Sequence, residues 1–312
     1  MNRPLLVLLL MLTLSVFGQR KPIIQEYAGC FHGAYESFHE NGNTKAKGNF
    51  YFNRRVGDWK VFDENGALLV HRFYDSLGHV KVLVPKTADD EVIKLLNQPR
   101  FRLHRDSIGK YVYQHIYEGD VVWSKRVWSY FPVENNETLY GFDWLGLLNR
   151  FELQEDLSMK RLVTVYKNDQ CSQFYQDDEE IATKDLELLG IGLKKDYFYD
   201  MASRKMDARV LVLTLFIQDT TSTSRKDLTL YLPTDLRPLL VKQFMQYDDP
   251  AITNLDDLIY LNAYSEIIYK EESWKEKEVQ LFHPKDANNF SQFSKEVKIQ
   301  IIEEEHDYWV AL

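Results

Sequence analysis

Cysteine is scarce in this chain: Cys30 and Cys171 are the only two among 312 residues. That excludes both a disulfide framework and a zinc site built from cysteine alone. One bridge between them in an oxidising compartment and two separate thiols both stay open. Basic clusters are short, the longest being pairs such as Arg54-Arg55 and Lys194-Lys195, and the formal net charge is -9. The basic stripe that neutralises nucleic-acid phosphates is therefore missing, and no nucleic-acid partner is expected. Beyond residue 17, even the stretch Arg209 to Ile217 falls short of the roughly 20 apolar residues that cross a bilayer as a helix. Gly-x-Ser-x-Gly, His-Glu-x-x-His, Walker and Cys-x-x-Cys patterns are also absent, so the sequence predicts no enzyme of those classes.

What is present is bulk for folding. Nineteen Tyr, eighteen Phe and six Trp supply enough apolar surface for a packed core, which disordered and collagen-like chains lack. At roughly 150 residues per domain the length suggests two domains. The chain opens with Arg3, an apolar run from Leu5 to Phe17, and then Gly18-Gln19-Arg20-Lys21. This is the layout of a secretory signal peptide with cleavage after Gly18, residues 1–18, and it predicts export.

Gly33-Ala34-Tyr35-Glu36-Ser37-Phe38-His39-Glu40-Asn41-Gly42 recurs 24 positions later as Gly57-Asp58-Trp59-Lys60-Val61-Phe62-Asp63-Glu64-Asn65-Gly66. A fixed register of Gly, aromatic, Phe, Glu, Asn and Gly marks an internal repeat. Period-2 alternation places Tyr35/Trp59 and Ser37/Val61 on one strand face, with Phe38/Phe62 opposite. Asn41-Gly42 and Asn65-Gly66 read as hairpin turns with both residues at positive φ. Strands at Gly48 to Phe52, Gly57 to Phe62 and Leu68 to Tyr74 complete a meander. The stretch 19–84 resembles MORN-type repeats, although a third copy expected near Lys81 has lost the pattern. The resemblance implies a docking surface; the alternative is an extension that covers a neighbouring sheet edge.

A connecting segment, 85–117, includes a short helix from Ala88 to Asn97. The rest, 118–312, reads as α+β. Strands are expected at Val121 to Tyr130, Arg161 to Tyr166, Tyr197 to Tyr199, Asp207 to Ile217 and Leu228 to Leu232, with a turn around Ser203. Trp144, Leu147, Leu148 and Phe151 form a helical stripe behind the cap Asp143. Pro238 sits early in a helix from Leu236 to Tyr247. Thr253 to Asp256 reads as a capping box opening a helix from Leu255 to Glu272, reinforced by Glu266/Lys270. Glu296 to Ile302 alternates like a strand.

Few residues invite chemistry. Cys30, His32 and His39 could be ligands, but His39 occupies the repeat position of Asp63, a hairpin surface position, so no metal or cofactor is expected. Ser124 and Lys125 point to opposite strand faces and do not form a nucleophile and base. Asp177 to Glu180 and Glu303 to Asp307 read as solvated acidic faces. Arg209 and Arg237 suit burial beside acids such as Asp196 or Asp235.

Three blocks taken in order carry a family resemblance. Val121-Val122-Trp123-Ser124-Lys125-Arg126-Val127-Trp128, the pair Leu193 to Asp200 and Ser203 to Val210, and Tyr231-Leu232-Pro233-Thr234-Asp235-Leu236-Arg237-Pro238-Leu239-Leu240 are similar to segments of the GldN/PorN family, as is Leu255 to Glu272. The chain departs from the family at Ser129 to Asn136, at Leu228-Thr229-Leu230 and in its repeat module. The resemblance implies a non-enzymatic periplasmic subunit of the type IX secretion and gliding machinery of Bacteroidetes. It implies a ring assembled with an outer-membrane lipoprotein (GldK/PorK-like), peripheral to that membrane, and contact with motor components of the GldL/GldM or PorL/PorM kind. Trp123, Lys125, Arg126, Trp128, Tyr231, Pro233, Arg237 and Pro238 are the expected interface residues, sheet-core packing being the alternative. An independent envelope module that binds lipid, glycan or protein through the repeats is the competing function.

Overall fold

The computed structural model describes residues 20–77, 79–84, 103–154, 158–167, 171–176, 181–222, 224–273 and 290–311. The expected signal segment, the helix at Ala88 to Asn97 and the acidic group Asp177 to Glu180 lie outside the described residues.

Short alternating segments separated by tight turns build the first sheet. β1 (Ile23–Tyr27), β2 (Cys30–Phe38), β3 (Thr44–Tyr51), β4 (Arg54–Phe62), β5 (Leu68–Tyr74) and β6 (Val80–Val84) pair antiparallel in sequence order. Tyr35, Ser37, Trp59 and Val61 share the buried face, as the repeat predicts. Trp59 lies over Gly48, where an added Cβ would sit 2.2 Å from the indole. The missing side chain lets Trp59 reach Tyr35, with ring centroids 5.5 Å apart. Phe38 is buried as well, with the Arg20 guanidinium 3.8 Å from its ring centroid, and the β2–β3 register shifts between Ser37 and Phe38.

Two turn types alternate along this meander. Ala28-Gly29 and Phe52-Asn53 have both central residues at positive φ, the conformation of a two-residue type I′ hairpin. At the repeat turns only Gly42 (φ 86°) and Gly66 (φ 83°) are positive, which corrects the expectation for Asn41 and Asn65. Here Gly42 N donates to His39 O (2.9 Å) and His39 N to Asn43 O (2.8 Å), a type I turn followed by a glycine bulge. Asp63 to Ala67 repeats it, and the Asp63 carboxylate accepts from Asn65 N and Ala67 N. Asp75 does the same for Leu77 N and His79 N. The turn thus recurs where the Glu-Asn-Gly signature is gone, because an aspartate at its first position holds the same backbone donors.

The second half contributes β7 (Val121–Tyr130), β8 (Phe151–Leu153), β9 (Met159–Arg161), β10 (Val165–Tyr166), β11 (Leu186–Asp200), β12 (Lys205–Asp219), β13 (Arg225–Tyr231) and β14 (Ile267–Ser273). Six of them form a sheet in the order β10-β13-β12-β11-β7-β14, and β8 pairs with β9. β11 and β12 are a long hairpin turning at Ser203, whose N donates to Asp200 Oδ2 (3.0 Å). The helices are α1 (Glu137–Tyr140), α2 (Trp144–Leu147), α3 (Arg237–Leu240), α4 (Leu255–Tyr260) and α5 (Ser291–Ala311). Leu213, Leu215, Phe131, Trp144, Leu147 and Leu148 lie in the largest core cluster. The fold is α+β, with an antiparallel hairpin sheet first.

Several elements differ from expectation. α2 is capped by Asp143, which accepts from Gly146 N, but lasts one turn before Phe151 enters β8. The strand expected over Arg161 to Tyr166 is split between β9 and β10, and the helix over Leu236 to Tyr247 shrinks to α3 behind a single π turn at Leu232–Leu236. α4 is capped by Asn254, whose side chain accepts from Asp257 N, while Thr253 bonds the Asp257 carboxylate instead. It ends at Tyr260, and Asn262 has φ 53°. The continuation Ile267-Ile268-Tyr269 becomes β14, because a β-branched and aromatic run with a free sheet edge beside it gains a full ladder against β7. Glu266 and Lys270 therefore do not form a helical pair.

Glu296 to Ile302 is helical, not extended. Val297, Ile299 and Ile301 read as period 2, yet Phe293, Val297 and Ile301 also fall at i, i+4 and i+8. α5 uses that second period and buries two faces. Val297 and Ile301 pack with Val127 and Ile268 of the second sheet, while Ile302 and Trp309 join Tyr35, Trp59 and Tyr74 of the first. Glu305 and His306 are buried, so Glu303 to Asp307 is not a solvated face throughout.

Candidate interaction surface

β7 divides the expected interface residues between its two faces. Lys125 is 5% exposed, and its Nζ donates to Glu271 Oε2 (2.7 Å) and to Gln300 Oε1 of α5 (2.9 Å). Trp123 packs against the same side. These two residues therefore serve core packing and helix docking. Ser124 lies on the opposite face, as period 2 requires.

Arg126 and Trp128 belong to the outer face. The register aligns Glu272, Arg126 and Asp196 across β14, β7 and β11, and in the next row Lys270, Trp128 and Lys194. Arg126 makes a two-pronged bond to Asp196, Nε–Oδ1 2.7 Å and Nη2–Oδ2 2.8 Å, with Glu272 4.0 Å away. Lys270 Nζ lies 4.0 Å and Lys194 Nζ 5.3 Å from the Trp128 ring centroid. Two ammonium groups over one indole are a cation–π sandwich, and their stems help to cover Trp128, which is buried. Val122, on the same face, is exposed. The sequence singled out Arg126 and Trp128 but not Lys194 and Lys270, which join them only through strand register.

Arg237 takes a different role. It is buried and bonds Asp256 through Nε (2.7 Å) and Nη2 (2.9 Å), and its Nη2 also donates to Tyr111 O. Tyr113 and Tyr260 flank it with centroids 4.6 and 5.1 Å away. Its partner is thus Asp256, not Asp235; Asp196 belongs to Arg126, and Arg209 donates to Gln114 O. Tyr231, Pro233 and Pro238 are half-buried.

The repeat residues form a second candidate patch. Asn41 Nδ2 and Asn43 Nδ2 both donate to Glu64 O (2.8 Å each), and His39 Nε2 bonds Phe62 O (2.9 Å). The 24-residue spacing therefore stacks one turn on the next and leaves Glu40, Glu64 and Asn65 exposed at the tip. The opposite end of the sheet is tied down. Asn53 accepts from Phe31 N (2.8 Å) and donates to Asn262 O (2.9 Å) and Tyr264 O (3.0 Å). Arg54 pairs there with Asp249 and Arg55 with Glu305 (2.6 Å), while next to the repeat turn Lys45 pairs with Asp307 (2.8 Å).

A half-open cavity of about 240 Å³ lies where the first sheet, the β11–β12 hairpin and α5 meet, with Phe50, Arg55, Tyr74, Met206 and Asn262 on its walls. Among the described residues no group of His, Cys, Asp and Glu has metal-site spacing, and no helix is long and apolar enough to cross a membrane. Cys30 and Cys171 carry no disulfide, which decides between the alternatives left open by their count.

A model of the family described as Gliding motility associated protein GldN matches residues 139–310, more than half the chain. The chain belongs to this family. No curated protein matches it. The family is a part of the gliding-motility and type IX secretion machinery and acts there as a structural component with protein partners. The match runs from α1 to the last turn of α5, and so includes the helix face that Tyr35, Trp59 and Tyr74 cover. The first sheet and β7 lie before it.

Proposed function

We propose that this chain is a non-enzymatic periplasmic interaction subunit of the type IX secretion and gliding apparatus. It sits in a ring with an outer-membrane lipoprotein of the GldK/PorK kind and meets a periplasmic component of the GldM/PorM kind. Family membership over residues 139–310 carries this reading. Rings require head-to-tail contacts between unlike patches, and two separated surfaces suit that need: the outer face of β7, β11 and β14 with Arg126, Trp128, Lys194 and Lys270, and the rim at Tyr231, Pro233 and Pro238. The hairpin module, read as MORN-like, adds the stacked turns at Glu40-Asn41-Gly42 and Glu64-Asn65-Gly66 as a third contact. Its inner face is filled by α5, which favours a part integrated with the family domain over a free-standing envelope module.

Removing the whole module would uncover Ile302, His306 and Trp309, so charge reversal on the outer faces is the cleaner test. Affinity capture from envelope fractions should recover the lipoprotein with the wild-type chain, and Arg126→Glu combined with Lys270→Glu should reduce recovery at least tenfold in protein that circular dichroism shows to be folded, with a lower melting point because the change at 126 sets a third acid between Asp196 and Glu272. Deletion of the gene should impair secretion or spreading. Failure to recover a lipoprotein with the wild-type chain, together with normal secretion and spreading in the deletion strain, overturns the proposal.

A further inference from the structure

One cluster in the interior is not explained by packing or by any docking surface. Lys195 of β11 is 0% exposed, and its Nζ lies 2.5 Å from Glu266 Oε1, 3.4 Å from Asn262 Oδ1 and 3.4 Å from Tyr264 Oη. Tyr264 Oη donates to that same Asn262 Oδ1 at 2.8 Å. Glu266 is also buried, and Lys298 Nζ donates to its backbone carbonyl (2.8 Å). The Tyr264 ring packs edge-on against Phe131 (4.9 Å). A buried amine, a buried carboxylate and a half-buried side-chain amide whose carbonyl already accepts a phenol hydrogen bond are thus held together.

The geometry points to an intramolecular isopeptide bond between Lys195 Nζ and Asn262 Cγ, formed by the chain itself. Each residue has a role in the condensation. The Glu266 carboxylate takes a proton from the Lys195 ammonium, and the neutral amine adds to Asn262 Cγ. The new N–C bond forms as the carbonyl electron pair moves onto Oδ1, where the Tyr264 hydroxyl stabilises it as an oxyanion-hole donor does. A second proton passes from Nζ to Nδ2, the Cγ–Nδ2 bond breaks with its electrons on nitrogen, and ammonia departs with the proton held by Glu266, as ammonium. The net change is an ammonium and a primary amide giving a secondary amide and an ammonium ion, with no oxidant or cofactor. Asn262 also lines the cavity between the two sheets, which gives the leaving nitrogen a path to solvent.

The electrostatics act on both partners of the first proton transfer, in opposite senses. Burial lowers the Lys195 pKa against the opposing pull of Glu266, so the ammonium is a stronger acid than usual. Glu266 is pushed up by burial but held below the usual carboxylate range by Lys195 and Lys298, so it is ionised and in contact with the ammonium, though a weaker base than an ordinary carboxylate. Lys195 Nζ lies 3.4 Å from the oxygen of the Asn262 amide, so its approach to Cγ is an intramolecular step with high effective concentration. The product would tie the middle of β11 to the link between α4 and β14, closing a covalent loop across the second sheet.

Intact-mass spectrometry of the purified full chain, read against its own N-terminal sequence, tests this directly. The expected mass is about 17 Da below that of the sequence, one ammonia lost, and a tryptic digest should contain a branched peptide joining Lys195 to Asn262. Glu266→Gln should restore the full mass, and Tyr264→Phe should slow the loss after refolding at least tenfold. A wild-type mass equal to the sequence, or a deficit of about 18 Da with the branch at Glu266, overturns the proposal; both are read on the wild-type chain, whatever the folding of the variants.

Discussion

His306 makes the junction between the first sheet and α5 sensitive to acid. Its ring is 0% exposed, neither ring nitrogen has a hydrogen-bond partner, and Tyr35, Trp59 and Trp309 surround it at 5.7, 5.4 and 4.8 Å between centroids. Burial, and then the cations Arg55, Lys45 and Arg72, hold its pKa well below the ordinary 6.5. The unfolded chain therefore binds a proton that the folded chain refuses. Stability from this site is complete above pH 6.5 and falls as the pH drops through 6.5 toward the folded pKa. The slope approaches one proton, so moving from pH 7.5 to 5.5 costs about 1.4 kcal/mol from this residue alone. His306→Leu removes both unpartnered nitrogens and should raise stability at pH 7.5 by about 1–3 kcal/mol, the cost of buried unsatisfied polar atoms. Urea unfolding of both proteins at pH 7.5, 6.5 and 5.5 measures the two effects, and the difference between them cancels the other titrating groups. Parallel pH profiles for wild type and His306→Leu would refute the reasoning, as would a variant less stable than wild type at every pH.

Two further outcomes follow from buried chemistry. Asp256→Ala leaves the buried Arg237 guanidinium without its carboxylate and should cost about 3–5 kcal/mol; replacing both residues with apolar ones of similar size should cost clearly less, as chemical denaturation of the single and double variants would show. The Cys30 thiol is buried and its pKa is pushed up to about 11, chiefly by desolvation, so a thiol reagent at pH 7.5 should label half-buried Cys171 first and Cys30 only on unfolding. Equal labelling rates in the folded protein would contradict that burial.

The 24-residue repeat, the β11–β12 hairpin and the cap at Asp143 were legible because each is decided within a few residues: a glycine at positive φ, an alternation of period 2, an aspartate facing backbone amides. The cluster on the outer face of β7, the proposed interface, was legible only in part. Arg126 and Trp128 could be named from one strand, whereas Lys194 and Lys270 become their neighbours through register set by three strands. The signal available for the interior was the pairs Arg54-Arg55 and Lys194-Lys195. Adjacent charges on a strand must point to opposite faces, so Lys195 is driven inward while Lys194 stays on the outer face, and Arg54 and Arg55 each reach a buried acid.

Composition and local pattern by themselves determined that this chain folds, that it opens with a hairpin meander and that an α+β part follows. Only the tertiary structure decided that Ile267 to Ser273 is a strand, that α5 is a helix gripped from two sides, and that Lys195, Glu266 and His306 are interior. The reason is physical. Residues of β14 fit helix and strand nearly equally well, and the exposed edge of β7, more than 130 positions away in sequence, settles the choice by offering a ladder of hydrogen bonds. Likewise α5 can bury two faces only because the first sheet, built from the other end of the chain, arrives to cover Ile302 and Trp309.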